Sequence, residues 1–128
     1  MRVLLDTHAL LWWFSGNERL SAAANSAISD PDNEIYVSAV SAWEVTTKHR
    51  LGRLVAAGPL ALDFAREVRS QGFVQLSITI EHGQTAGLLA GPRRDPFDRM
   101  LIAQAQLERM AIVSNERAFD EYGVTRIW

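Results

Sequence analysis

The chain has 128 residues, 48% of them hydrophobic, which suits one domain with a substantial core and is short for two. Its 13 lysines and arginines against 15 aspartates and glutamates leave a net charge of −2, so no global field holds a polyanion and a nucleic-acid partner requires a local basic patch. Cysteine is absent, which excludes disulfides and thiolate metal sites, fits a reducing compartment and makes the cytoplasm the expected location.

Residues 2–5 (RVLL) form an apolar run without polar alternation, the pattern of a strand buried on both faces of a parallel sheet. The apolar stretch 3–14 is interrupted by Asp6 and His8 and is followed by no small-residue cleavage site, so it reads as core and not as a secretion signal. No run of about 18 apolar residues occurs, which speaks against a membrane span. From Thr7, the run HALLWWF predicts a helix closed by Ser15, Gly16 and Asn17. A second helix is expected over 20–29, ended by residues 30–33 (DPDN), and a second buried strand over 35–37. Ser38 or Ser41 caps the next helix, which carries Trp43, Glu44, Val45 and Lys48 and stops at Gly52. Residues 56–59 (AAGP) read as a turn, and 60–70 as a helix with Leu62, Ala65 and Val68 on one side. After a break at Gly72, residues 73–78 alternate as a strand and 79–90 read as a helix despite Gly83 and Gly87. Residues 91–94 (GPRR) lead into a long helix reaching Arg109. A buried strand at 111–113, a turn of helix at 117–121 and a last strand ending at Trp128 complete the chain. Strands alternate with helices and no hairpin dipeptide occurs, so the class is α/β with a mainly parallel sheet.

The helix after residue 94 is the most informative. Pro96 suits the first helical position, Asp95 the N-cap, and Asp98 then becomes the third helical residue, where free N–H groups and the helix dipole favour negative charge. A cap and a dipole-matched acid need no function. Other acids, however, are expected at the same place. Asp6 ends the first strand, Glu116 follows a later one, and Glu44 lies near the start of the helix after the second strand. Carboxyl ends of parallel strands are where open sheets form their sites. Each acid also has a plain structural account: Asp6 as a strand-end turn or the cap of the next helix, Glu44 as the exposed i,i+4 partner of Lys48. Four together repel one another unless a cation neutralises them. With no cysteine and only His8, His49 and His82 scattered along the chain, Mg²⁺ or Mn²⁺ suits better than zinc. Such a site fits phosphodiester hydrolysis. Arg93, Arg94 and Arg99 flank Asp98, and Lys48, His49, Arg50 and Arg53 end the Glu44 helix, where they serve either to bind a polyanionic strand or to match the helix dipole.

Four stretches, LLDTHALLW at 4–12, SAVSAWEVTTKHRLGRL at 38–54, RDPFDRMLIAQA at 94–105 and IVSNERAFDEYGV at 112–124, together resemble the PIN-domain family, specifically its VapC-type toxins. The resemblance implies a PIN-like three-layer α/β/α sandwich and a metal-dependent, single-strand-specific endoribonuclease. It further implies a toxin held inactive by a cognate antitoxin, and a homodimer. By position, Asp6, Glu44, Asp98 and Glu116 match the family's acidic residues, the first three as metal ligands, and Thr7 and Ser114 match its small hydroxyl residues. Asp98 and not Asp95 matches the acid that opens the helix, because Ala105 then falls in phase; Asp95 is a helper. Glu116 stands where Asp is usual, and its extra methylene favours a water-mediated contact. Arg93 stands where close relatives often carry histidine, a change expected to be minor, and Lys48, Arg93, Arg94 and Arg99 are the candidate RNA contacts.

Rival readings fare worse. A haloacid-dehalogenase-like phosphatase needs a second aspartate where His8 stands, a phosphoacceptor domain needs one after a middle strand, and a dinucleotide-binding domain needs GxGxxG. The remaining alternative is a catalytically inactive PIN-like module that only binds protein. Trp12, Trp13 and Trp43 belong either to the core or to a dimer or partner surface.

Overall fold

The computed structural model describes residues 1–54 and 57–128. Five parallel strands, β1 (Arg2–Leu5), β2 (Glu34–Ser38), β3 (Val74–Leu76), β4 (Ala111–Val113) and β5 (Arg126–Ile127), form one sheet in the order β3-β2-β1-β4-β5. The expectation of a mainly parallel sheet thus resolves to one in which every described pairing is parallel. Helices α1 (Thr7–Ser15), α2 (Ala22–Ser29), α3 (Ala39–Arg50), α4 (Gly58–Leu62), α5 (Phe64–Ser70), α6 (Ile80–Leu88) and α7 (Pro96–Leu107), with a 3₁₀ turn at Arg117–Tyr122, lie between the strands in sequence.

The central strand explains the layers. Val3 and Leu5 of β1 join one core cluster, with Leu10, Ala24, Ile28, Leu60 and Val68 from the helices on that face. Leu4 joins another, with Leu101, Ile102 and Ala105 of α7 and Phe119. Both faces of β1 are covered, so its residues need no polar alternation. Three completely buried residues, at about 25 cal/mol per Å² of apolar surface, anchor the helix layers to the sheet.

Helix starts follow local chemistry. Ser21 caps α2 by accepting from the Ala24 N–H, and Ser38, not Ser41, caps α3 by accepting from Val40. Thr79 and His82 form a reciprocal capping box on α6, and the buried His82 ring then reaches Glu108 through Nε2 at 3.0 Å, tying α6 to the end of α7.

Several boundaries differ from the sequence reading. The predicted helix over 60–70 is two helices: α4 runs Gly58–Leu62 and α5 Phe64–Ser70, divided at Asp63, whose side chain caps α5 by accepting from Arg66. Its buried side consists of Leu60 and Val68, with Phe64 partly buried, while Leu62 and Ala65, expected on the same side as Val68, are exposed. The predicted turn at 56–59 begins at Ala56, outside the described residues, and its Gly58 and Pro59 open α4. Strand β3 is three residues long where 73–78 was expected, since only Val74–Leu76 pair with β2. Trp12 and Trp13 pack against the core rim, Trp13 donating to Gln71 at 3.0 Å, whereas Trp43 is 61% exposed and meets Phe97 edge-on at 4.9 Å. No helix among the described residues is long and apolar enough to cross a membrane.

Candidate active site

Strand order reverses direction at β1, whose neighbours β2 and β4 are reached by different crossovers, and a crevice opens outside the strand ends at such a point. Register decides what lines it. Leu5 pairs with Val37 on one side and Val113 on the other, so the next residues, Asp6, Ser38 and Ser114, fall in a row across the central strands. The Asp6 N–H prolongs the ladder by donating to the Val113 carbonyl at 3.1 Å.

Asp6 is 3% exposed and caps α1, accepting from the Ala9 N–H at 2.7 Å. The capping account of Asp6 therefore holds, yet it does not neutralise the carboxylate. Burial pushes its pKa up from 3.8 to about 6, and the negative charge of Asp98 adds to that, while the Ser114 hydroxyl, the Ala9 N–H and His8 pull it down. Thr7 and Ser41, both buried, share a hydroxyl hydrogen bond of 3.1 Å beside it.

Glu44, on the second turn of α3, is 4% exposed and receives the Lys48 ammonium at 2.5 Å. Its simple i,i+4 pairing and its approach to the crevice are both realised, because its charge is felt at Asp98. Asp98 lies on the first turn of α7, whose N-cap Asp95 accepts from the Phe97 and Asp98 N–H groups at 2.9 and 3.1 Å. Burial raises the Asp98 pKa, the Arg93 hydrogen bond lowers it, and the charges of Asp95 and Glu44 raise it again. Glu116 sits at the rim, joined to the others through Arg93, whose Nη2 stands 3.3 Å from its Oε2 and 2.5 Å from Asp98 Oδ2. The charge of Glu44 acts on Asp98, that of Asp98 acts on Asp6, and Arg93 joins Asp98 to Glu116, although Asp98 reaches this edge from a helix that follows α6 and not a strand. Ser114, fully buried, holds the turn after β4 by accepting from the Glu116 N–H at 3.0 Å.

The basic residues divide. Arg94 is exposed, next in sequence to Arg93. Lys48 and Arg93 are paired with acids of the site itself. Arg99 is spent on structure, donating to the carbonyls of Ala86, Leu89 and Arg93, which corrects its expected place among RNA contacts. Ser41 and Tyr122 were not anticipated. The Tyr122 hydroxyl accepts from the Arg93 N–H at 3.2 Å and leaves no room for a side chain at Gly91, where an added Cβ would lie 2.7 Å from it at φ +107°. No signal in the local sequence links positions so far apart.

The donor set is wholly oxygen, with no thiolate and with His8 as the imidazole felt at Asp6. Among the described residues no group of three or more histidine, cysteine, aspartate or glutamate side chains is placed so as to hold a metal ion. Oxygen donors suit a hard ion such as Mg²⁺, which keeps several waters and takes one or two carboxylates, better than zinc.

The PIN domain sequence profile matches residues 3–124. The chain is 34% identical over 119 residues to Ribonuclease VapC22 of Mycobacterium tuberculosis, a match covering 90% of this chain and 87% of that protein. Its fold is similar to that in the crystal structure of VapBC2 from Rickettsia felis bound to a DNA fragment from their promoter, with a TM-score of 0.67 at 14% identity over 98% of this chain and 97% of that one. It is also similar to VapC20 of M. tuberculosis, a Sarcin-Ricin loop cleaving toxin, with a TM-score of 0.64 at 15% identity over 96% of each chain. Profile, sequence and fold agree over nearly the whole chain, and this protein belongs to the PIN domain family.

Proposed function

We propose that this protein is a VapC-type toxin, an endoribonuclease that hydrolyses phosphodiester bonds of single-stranded RNA with Mg²⁺ or Mn²⁺. The observation that supports the reading is the mutual influence of Asp6, Glu44 and Asp98, with Arg93 bridging Asp98 to Glu116, and no ion pair to the buried Asp6 among the described residues. The relation to Ribonuclease VapC22 supports the reaction class.

In this reading Asp6, Glu44 and Asp98 would hold the ion, one or two of them directly and the rest through its waters, and Glu116 at the rim would act through water. When bound, the ion supplies Lewis acidity toward an attacking water and the scissile phosphate. Thr7 and Ser114 orient the groups around Asp6, and Lys48 fixes the Glu44 carboxylate. Arg94, and Arg93 once released from Asp98, lie where a phosphate chain would pass. Unpaired bases can splay against an open crevice, which favours single-stranded RNA over a duplex. The partners are a cognate antitoxin and a second copy of the chain, and the compartment is the cytoplasm.

Growth on induced expression tests the toxin role. Wild-type protein should arrest growth, Asp6→Ala should not, and co-expression of the protein encoded alongside should relieve the arrest. Arrest undiminished in Asp6→Ala would exclude hydrolysis at this site as the cause.

A further inference from the structure

Arg93 is more firmly placed than a surface residue awaiting RNA. Its N–H donates to the Tyr122 hydroxyl and its carbonyl accepts from Arg99 Nη1 at 2.9 Å, so the backbone is fixed on both sides. Its guanidinium carbon stands 5.9 Å from the Phe119 ring centre, an apolar wall that directs the head inward. There both Nε, at 2.9 Å, and Nη2 donate to a single oxygen, Asp98 Oδ2, and Nη2 also reaches Glu116. Bonds of this charge-assisted kind are among the strongest a side chain makes. They engage an acid that the proposed function gives to the divalent ion.

We propose that Arg93 is a built-in counter-cation that competes with the divalent ion for Asp98 and thereby sets the metal affinity of the crevice. This rests on the metal-binding reading above. Without a divalent ion, the guanidinium holds Asp98 and Glu116 together against their mutual repulsion. Both donors sit on Oδ2, so a divalent ion that takes Asp98 either displaces them or binds the other oxygen with a second positive charge close to the first. Arg93 is thus a positioning residue for the ion, and its removal makes the ion bind more tightly while the metal-free protein becomes less stable.

The test is calorimetric titration of the purified full chain with Mn²⁺, for wild type, Arg93→Gln, Arg93→Lys and Asp98→Asn, with thermal melts in EDTA alongside. Arg93→Gln should bind Mn²⁺ about tenfold more tightly than wild type, within the range usual for coupled sites, and should melt lower in EDTA. Arg93→Lys keeps the charge without the fork and should shift affinity the same way by less, which preserves the test if the glutamine variant fails to fold. Asp98→Asn should lose binding. A lower melting point with unchanged or weaker Mn²⁺ affinity in the folded Arg93 variants would make Arg93 merely structural and overturn the proposal. Absence of Mn²⁺ binding in all four proteins would overturn the metal-binding reading itself, and the proposal with it.

Discussion

Asp6 combines a structural task with an electrostatic cost. It caps α1, but its pKa is raised from 3.8 to about 6, mainly by burial. A carboxyl whose folded pKa exceeds its unfolded one favours folding fully below about pH 4, and that contribution is lost as pH rises through 6. The metal-free protein should therefore lose stability between pH 4 and 6 on this account. Asp6→Asn keeps a capping oxygen and removes the charge, so in EDTA at pH 7 it should be more stable than wild type by about 1–3 kcal/mol. The gain should disappear near pH 4. Thermal melts at both pH values check this, and an asparagine variant less stable at pH 7 would show that Asp6 is already compensated within the protein. The place of Asp6 at the carboxyl edge of the sheet was legible because it ends a buried strand. Arg93's was legible only as a nearby charge, because its partners are set by a loop held to Tyr122, 29 residues away.

At the scale of elements, α7 shows what a short motif can specify. Asp95 and Pro96 start the helix as local chemistry requires, and Asp98 follows on the first turn. Replacing Asp95 by alanine removes an acceptor for two N–H groups and should cost about 1 kcal/mol in thermal stability, whereas asparagine should cost a few tenths. If Asp95 is only a cap, Asp95→Asn should also cleave RNA at close to the wild-type rate; a large loss of cleavage in a stably folded variant would make it a direct participant in the site. The division between α4 and α5 shows what such reading misses. Asp63 is one polar residue inside a run with helical composition, and only its side-chain bond to Arg66 marks it as a new N-cap. Arg99 is a similar case: its sequence position beside Asp98 suggests a substrate contact, but three carbonyls from α6 and the following loop claim its donors.

Across the whole molecule, buried strands and capped helices made the α/β class readable, and the strand ends located the acids. The strand order was not readable from periodicity, since each strand's apolar pattern is compatible with any neighbour. That order is what brings Asp6 and Ser114 side by side and turns four dispersed carboxylates into one crevice. The central claim is that this crevice cuts RNA with a divalent ion. Its most direct test is incubation of a mixed single-stranded RNA pool with purified, antitoxin-free protein, with Mg²⁺ or Mn²⁺ and with EDTA, beside Asp98→Asn. Asp98→Asn removes charge at nearly constant volume, so it should fold normally. Cleavage should require the ion and fall by at least about a hundredfold in the variant, a loss at the low end for removal of a catalytic electrostatic contact. Cleavage that persists in EDTA, or proceeds at the wild-type rate in Asp98→Asn, would contradict the account.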